Sequence, residues 1–441
     1  MKMGHTAIFL GTILILSTAF GQEKGVRQNP ELSELAIELQ NVRAALDSLK
    51  NDRSTKAAVA DDDIEALEER LERRFAELEN KLAALARSMS GVVFNPRTTA
   101  FINFAARADS RSVMDEEGVA EIDNRPFLRS LEIDLRAPVD PYADAVAIFA
   151  VEDEASQGFA VDPEEVYGII KRVPFLESAP LGLKLKFGKF RAPFGINNRL
   201  HLHDLPWTTR PLVVSKFLGT EHGEFFESGF SPVGVDLDFF LPSPIPGTTL
   251  EANLDVVRSG GLGLSGGAVG KQPALLGRLN MSADWYNEHL LVFGASAYTE
   301  RRKASGTLIG IDGTYKWSPS EQRASRSFVI GGEFFFGEKL VEDSLGEILT
   351  IRPNGWYAYA QAQLSYWLYL GARFDWVTEP AADLTISRSI GFYASYYTTE
   401  FLRLRFGFER RTGSSNGLNT VLFEVNFVFG SHPTEPYWVN R

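Results

Sequence analysis

The chain of 441 residues contains no cysteine, which excludes a disulfide, a thiolate metal site and a cysteine nucleophile. Its formal net charge is −12, from 57 acidic and 45 basic residues, and no nucleic-acid partner is expected of it. Hydrophobic content is an ordinary 44%, yet there are 32 phenylalanines, 13 tyrosines and 7 tryptophans, so the aromatics need a structural reason of their own.

Residues 1–21 read as a secretory signal peptide, with Lys2, an apolar run from Ala7 to Phe20, and small residues at Ala19 and Gly21. The mature chain is therefore expected to be exported. No later stretch offers about 18 apolar residues without polar interruption, so helical membrane spans are not expected. Residues 22–95 are a different material. Leu32, Leu35, Leu39, Val42, Leu46 and Leu49 step by heptad intervals, and Ile64, Leu67, Leu71, Phe75, Leu78, Leu82, Leu85 and Met89 nearly repeat the rule. That pattern predicts an α-helical coiled coil, and hence an oligomer, ending at Gly91 and Pro96. A single amphipathic helix packed on the protein's own core is the plainer alternative.

From residue 96 the period changes to two. In Phe127–Arg136, Phe127, Leu131, Ile133 and Leu135 alternate with polar partners, and in Leu368–Trp376, Leu368, Leu370, Ala372, Phe374 and Trp376 do the same. Sixteen such segments are predicted. The first five are Phe101–Arg107, Phe127–Arg136, Ala143–Glu152, Glu165–Arg172 and Leu181–Gly188. Ser231–Leu241, Leu250–Arg258, Leu275–Trp285, Leu290–Tyr298, Leu308–Trp317 and Phe328–Phe336 follow. Trp356–Leu364, Leu368–Trp376, Ser389–Tyr397, Phe401–Arg410 and Val421–Phe429 complete the set. A soluble sandwich also alternates, but strands of about 9–11 residues with aromatics at their ends suit a tilted bilayer crossing. The expected fold is all-β: a 16-stranded antiparallel transmembrane β-barrel over residues 96–441, wide enough for an aqueous channel. On this register Phe239, Leu254, Phe374 and Phe406 meet lipid, while Asp238, Asn253, Asp375 and Arg405 face water and should tolerate exchange.

One stretch stands against the acidic background. Lys171 to Lys216 carries nine basic residues against Glu177 and Asp204. Lys184 and Lys186 lie on the polar face of the fifth strand, and residues 192–228 form the longest segment without strand periodicity. Lys184 and Lys186 are expected to face the lumen whichever way the loop goes; if it folds inward, Lys189, Arg191, Arg199 and Arg210 join them as pore-lining, anion-binding residues, because charges in a narrow passage select ions by sign. A solvated surface loop is the alternative.

Other chemistry is weak. His201, His203 and Asp204 lack an evident third protein ligand, Asp61 to Asp63 lack calcium-loop spacing, and Gly260 to Gly270 have no phosphate-loop context. No G-x-S-x-G nucleophile occurs, so neither an enzyme, a resident metal nor a cofactor is expected.

The Gly188–Gly195 segment GKFRAPFG and the closing run Val428–Tyr437, VFGSHPTEPY, resemble the phosphate-selective porin O and P family of Gram-negative outer membranes. The resemblance implies a signal-directed outer-membrane homotrimer in contact with lipid, with an inward third loop and passive diffusion of small anions. A general porin without ion preference is the second reading. The third is a structural barrel whose coiled coil reaches peptidoglycan.

Overall fold

The computed structural model describes residues 96–430, apart from 113–123, 155–157, 173–181, 220–228, 261, 263–271, 287, 301–305, 320–324, 343–347, 382–383 and 414–416, together with Arg70 and Arg74. Apart from those two arginines, the signal peptide and the coiled coil expected before residue 96 lie outside the described residues. Seventeen strands are present among the described residues. They begin with β1 (Arg97–Asp109), β2 (Pro126–Pro138), β3 (Ala143–Glu154), β4 (Gly158–Ile170) and β5 (Lys184–Lys189). Next are β6 (Val233–Leu241), β7 (Thr248–Val257), β8 (Ala274–Trp285), β9 (His289–Glu300), β10 (Thr307–Trp317) and β11 (Ser327–Glu342). The last six are β12 (Ile348–Ile351), β13 (Asn354–Gln363), β14 (Leu368–Thr378), β15 (Ile386–Thr399), β16 (Leu402–Thr412) and β17 (Leu418–Gly430).

Every pairing is between antiparallel neighbours, and β17 returns to pair with β1 from Thr99↔Gly430 to Asp109↔Thr420. That pairing closes the sheet. Short β12 pairs only with the far end of β11, from Lys339↔Ile351 to Glu342↔Ile348, while the body of β11 pairs with β13. The barrel itself therefore has sixteen staves, an even number in which no strand is left as an edge.

Alternation sets the two faces. On β14, Leu370 and Phe374 are 43% and 38% exposed, whereas Tyr369, Arg373 and Asp375 are buried. Leu254, Phe293, Ile311, Phe392, Phe406 and Phe427 repeat the outward apolar pattern around the barrel. Large apolar side chains outside and charges inside invert the order of a water-soluble domain, as a barrel that meets hydrocarbon requires. Short turns at 139–142, 364–367 and 400–401 join strands at one end; β1 follows on to β2, β5 to β6 and β7 to β8 at the other.

One strand expectation is corrected. The fourth strand starts at Gly158, seven residues before the alternation became legible. Pro163 sits where the β3–β4 register shifts beside Phe149, and a bulge tolerates a residue without an N–H. The long loop also holds a helix, α1 (Leu212–Leu218), following Pro211.

Candidate functional site

Between β5 and β6, residues 190–218 fold into the barrel and dock across its lumen. Two glycines let them do so. Gly188 has φ +137° and Gly195 φ +64°; a Cβ on the first would collide with the Val166 carbonyl, and on the second with the Glu333 carboxylate. The Gly195 amide donates to Ser296 Oγ at 3.2 Å, and the Asn197 amide donates to Glu333 Oε1 at 2.7 Å. Tyr357 also donates its hydroxyl to that oxygen, at 2.7 Å.

The loop carries an apolar underside. Phe190, Phe194, Leu205, Trp207, Leu212 and Phe217 are buried against inward tyrosines of the wall, including Tyr357, Tyr359 and Tyr393. Trp207 meets the Tyr359 ring edge-on at 4.7 Å, and the Arg373 guanidinium lies 5.2 Å from the Trp207 ring. Burying one such phenylalanine contributes about 1.5–3 kcal/mol, so this underside is a principal reason the loop stays down.

Wall arginines hold its carbonyls. Arg405 donates to Leu205 O at 2.6 Å and Trp207 O at 2.7 Å, Arg403 to His203 O at 2.9 Å, and Arg373 to Thr209 O at 2.5 Å. Arg129 donates to Thr208 O. Glu424 lies among three of these guanidiniums, 3.2 Å from Arg129, 2.7 Å from Arg403 and 3.3 Å from Arg405. Asp375 accepts from the Leu212 amide at 3.1 Å. Asp375 and Arg405 are thus buried loop anchors, which corrects their expected placement as water-facing residues open to exchange.

At the opposite side of the lumen the loop presents two imidazoles. His201 lies 2.9 Å from Glu165 and 3.4 Å from Glu132; His203 lies 3.4 Å from the same Glu132 and stacks on Phe101 at 3.6 Å. Burial alone would lower the His201 pKa, but Glu132 outweighs it and, with the Glu165 hydrogen bond, raises it to about 10. Among the described residues no three His, Asp or Glu side chains converge as metal ligands.

Between the docked loop and the wall lies a cavity of 590 Å³, bordered by β1–β5, β7–β10 and the loop crest. The six residues expected to line a basic pore are dispersed. Lys184 and Lys186 share the inner face of β5, but Asp238 lies 3.4 Å from the first and Asp236 3.7 Å from the second. Arg191 borders the cavity, yet it is 4% exposed and its guanidinium binds Glu164 at 3.0 Å. Arg199 is exposed on the loop crest and also borders the cavity.

Two of the six are corrected outright. Register sets Lys189 opposite Val166 and Val233, both exposed on the outer face, so Lys189 belongs to that face. Arg210 is fully buried and donates to Asn197 O at 3.1 Å and Leu200 O at 2.6 Å, inside the loop. The wall arginines that hold the loop were missed as a group. Their alternation was visible, but their partners lie up to 200 residues away.

No family model matches the chain. An uncharacterized protein of Aquifex aeolicus (strain VF5) is 25% identical over 349 residues, 70% of each chain. Among solved structures, an anion-selective porin from Comamonas acidovorans aligns over 76% of this chain and 99% of its own, with 10% identity and a TM-score of 0.49. The outer membrane channel DcaP of Acinetobacter baumannii aligns over 76% and 97%, at 9% identity and a TM-score of 0.46. OmpT of Vibrio cholerae in a trimer form aligns over 76% and 99%, at 10% identity and 0.45.

Proposed function

We propose that this protein is an outer-membrane porin, a passive diffusion channel for small hydrophilic solutes. The observation that carries the reading is the loop docked across a closed barrel beside a polar cavity of 590 Å³, under an apolar outer face. A barrel built only as an anchor would have no use for an interior organised around one inward loop.

Charge pairing argues for weak ion preference. Six basic residues border the cavity: Arg136, Lys186, Arg191, Arg199, Arg278 and Lys316. Asp134, Asp236, Glu164 and Asp312 stand within ion-pair distance of Arg136, Lys186, Arg191 and Arg278 in turn. Paired charges largely cancel beyond a few ångströms, so the local basic surplus of the sequence does not become a basic pore. Anion preference is the second reading, favoured by exposed Arg199 and by His201, whose raised pKa keeps it charged at neutral pH.

Export through residues 1–21, a homotrimer and a coiled coil reaching toward peptidoglycan complete the proposal. Planar-bilayer recording in asymmetric potassium chloride tests it. Discrete conductance steps with a reversal potential near zero are expected; a strongly anionic reversal potential selects the second reading. Absence of steps from a correctly folded barrel overturns both.

A further inference from the structure

The outer face of β14–β17 changes chemistry at one end only. Its outward rows run through Leu370, Phe374, Ile390, Phe392, Phe406 and Phe423, all exposed. At the end of the short turns these rows close on Leu368, Tyr396, Leu402 and Phe429. At the other end, where β14 leads to β15 and β16 to β17, they close on Trp376, Arg388 and Arg410. Arg388 pairs with Trp376 and Arg410 with Ile390, so both arginines share the face of the apolar rows, and both are exposed. Arg388 also pairs with Thr412, which makes Arg410 its diagonal neighbour across the β15–β16 ladder, about 7–8 Å away.

Neither arginine has a carboxylate partner among the described residues. The acids of these strands point inward and are engaged there: Asp375 by Arg373, Glu409 by Arg373 and Tyr393, and Glu424 by Arg403 and Arg405. Glu379, just beyond β14, accepts from Ser387 Oγ at 2.8 Å and lies 3.4 Å from Lys216. Arg352, by contrast, is matched by Glu338 at 3.0 Å.

Two neighbouring guanidiniums repel, and a phosphate between them relieves that repulsion while accepting paired N–H bonds from each. Trp356 and Trp376, paired across β13–β14, mark this level as a membrane interface. Free phosphate would gain only the charge contacts. A phosphate carried on a lipid also lays its acyl chains over Ile390, Phe392 and Phe406, directly below the arginines. Charge and apolar surface are continuous here, and a lipid matches both.

Resting on the membrane-barrel reading above, we infer that Arg388 and Arg410 form a clamp for the phosphate headgroup of an anionic lipid in the leaflet at this end. The site lies outside the lumen and takes no part in conduction.

The test titrates the full-length protein in mild detergent with phosphatidic acid, phosphatidylcholine or inorganic phosphate, and counts bound molecules by native mass spectrometry. Phosphatidic acid should bind in preference to phosphatidylcholine, and inorganic phosphate should not displace it. Arg388→Gln and Arg410→Gln should each weaken phosphatidic acid about fivefold, and the two together roughly thirtyfold. Arg388→Lys combined with Arg410→Lys should recover most of that loss, and Arg352→Gln should match wild type. Heat-modifiability verifies that each barrel is folded. Equal affinity for the two lipids, an unaffected double glutamine variant, or displacement by inorganic phosphate overturns the inference, the last by revealing a site for free anions. In those three cases lipid still binds or the barrel still conducts; a folded barrel that takes up neither lipid instead overturns the membrane-barrel reading and this inference with it.

Discussion

Replacing Arg405 by methionine isolates the force that keeps the loop across the lumen. The substitution retains an apolar stem where Arg405 is buried and removes its guanidinium. Two charge-assisted bonds, to Leu205 O at 2.6 Å and Trp207 O at 2.7 Å, are lost. At about 1.5–3 kcal/mol each, the loss is about 3–6 kcal/mol. Glu424 is not orphaned, because Arg403 remains at 2.7 Å and Arg129 at 3.2 Å. Relief of repulsion among the three guanidiniums offsets part of the cost, so the lower half of the range is the better expectation. Even about 3 kcal/mol multiplies the undocked population of residues 205–207 roughly a hundredfold. Single-channel recording should then show larger or flickering conductance from a barrel that remains heat-modifiable. Arg352→Met is the control, since its pair with Glu338 at 3.0 Å is exposed on the rim. Wild-type conductance and noise from a folded Arg405→Met channel would refute the anchoring argument.

Changing Lys184 and Lys186 to glutamate together should move the reversal potential toward cations, more at low salt than at high, because each lysine now balances an aspartate; an unchanged potential puts the selective region elsewhere. The folded pKa of His201, about 10, lies above its unfolded value near 6.5, so its contribution to loop docking is complete below about 6.5 and is lost as pH rises through 10. Channel noise should therefore grow between pH 7 and pH 10 in wild type and stay flat in His201→Gln. Phe374→Lys and Phe406→Lys place a charge on the outer face and should each cost about 2–4 kcal/mol if they meet the bilayer midplane, read from denaturant unfolding in liposomes. A cost near zero at both sites would mean that this face does not meet lipid.

The barrel was legible because alternation needs only local information: Leu370 and Phe374 declare one face and Arg373 and Asp375 the other, whatever their partners. The inward turn of the loop could be anticipated only as one option, since Gly188 and Gly195 announce special backbone angles without saying where the chain goes next. The fate of the basic residues was not legible. Strand parity sets Lys186 on the inner face, but Asp236, which balances it, lies fifty residues further on. Arg210 turns back onto Asn197 and Leu200 within its own loop, an arrangement fixed by packing that leaves no periodic trace. The short β12 and helix α1 escaped because four and seven residues are too few to establish a period.

The pairing of β1 with β17 has a consequence for how the molecule is made. The two strands whose ladder seals the cylinder are the first and last staves, so the final hydrogen bonds join Thr99 to Gly430 and Asp109 to Thr420 across the whole length of the barrel chain. Loop-closure entropy makes such a seam slow to form, and until it forms two strand edges and an apolar outer surface are open to pairing with other chains. Assembly is thus most hazardous just before completion. A chaperone that holds the growing sheet should matter most at that stage, and weakening the seam, for example by Phe427→Pro within β17, should yield aggregates rather than a smaller channel.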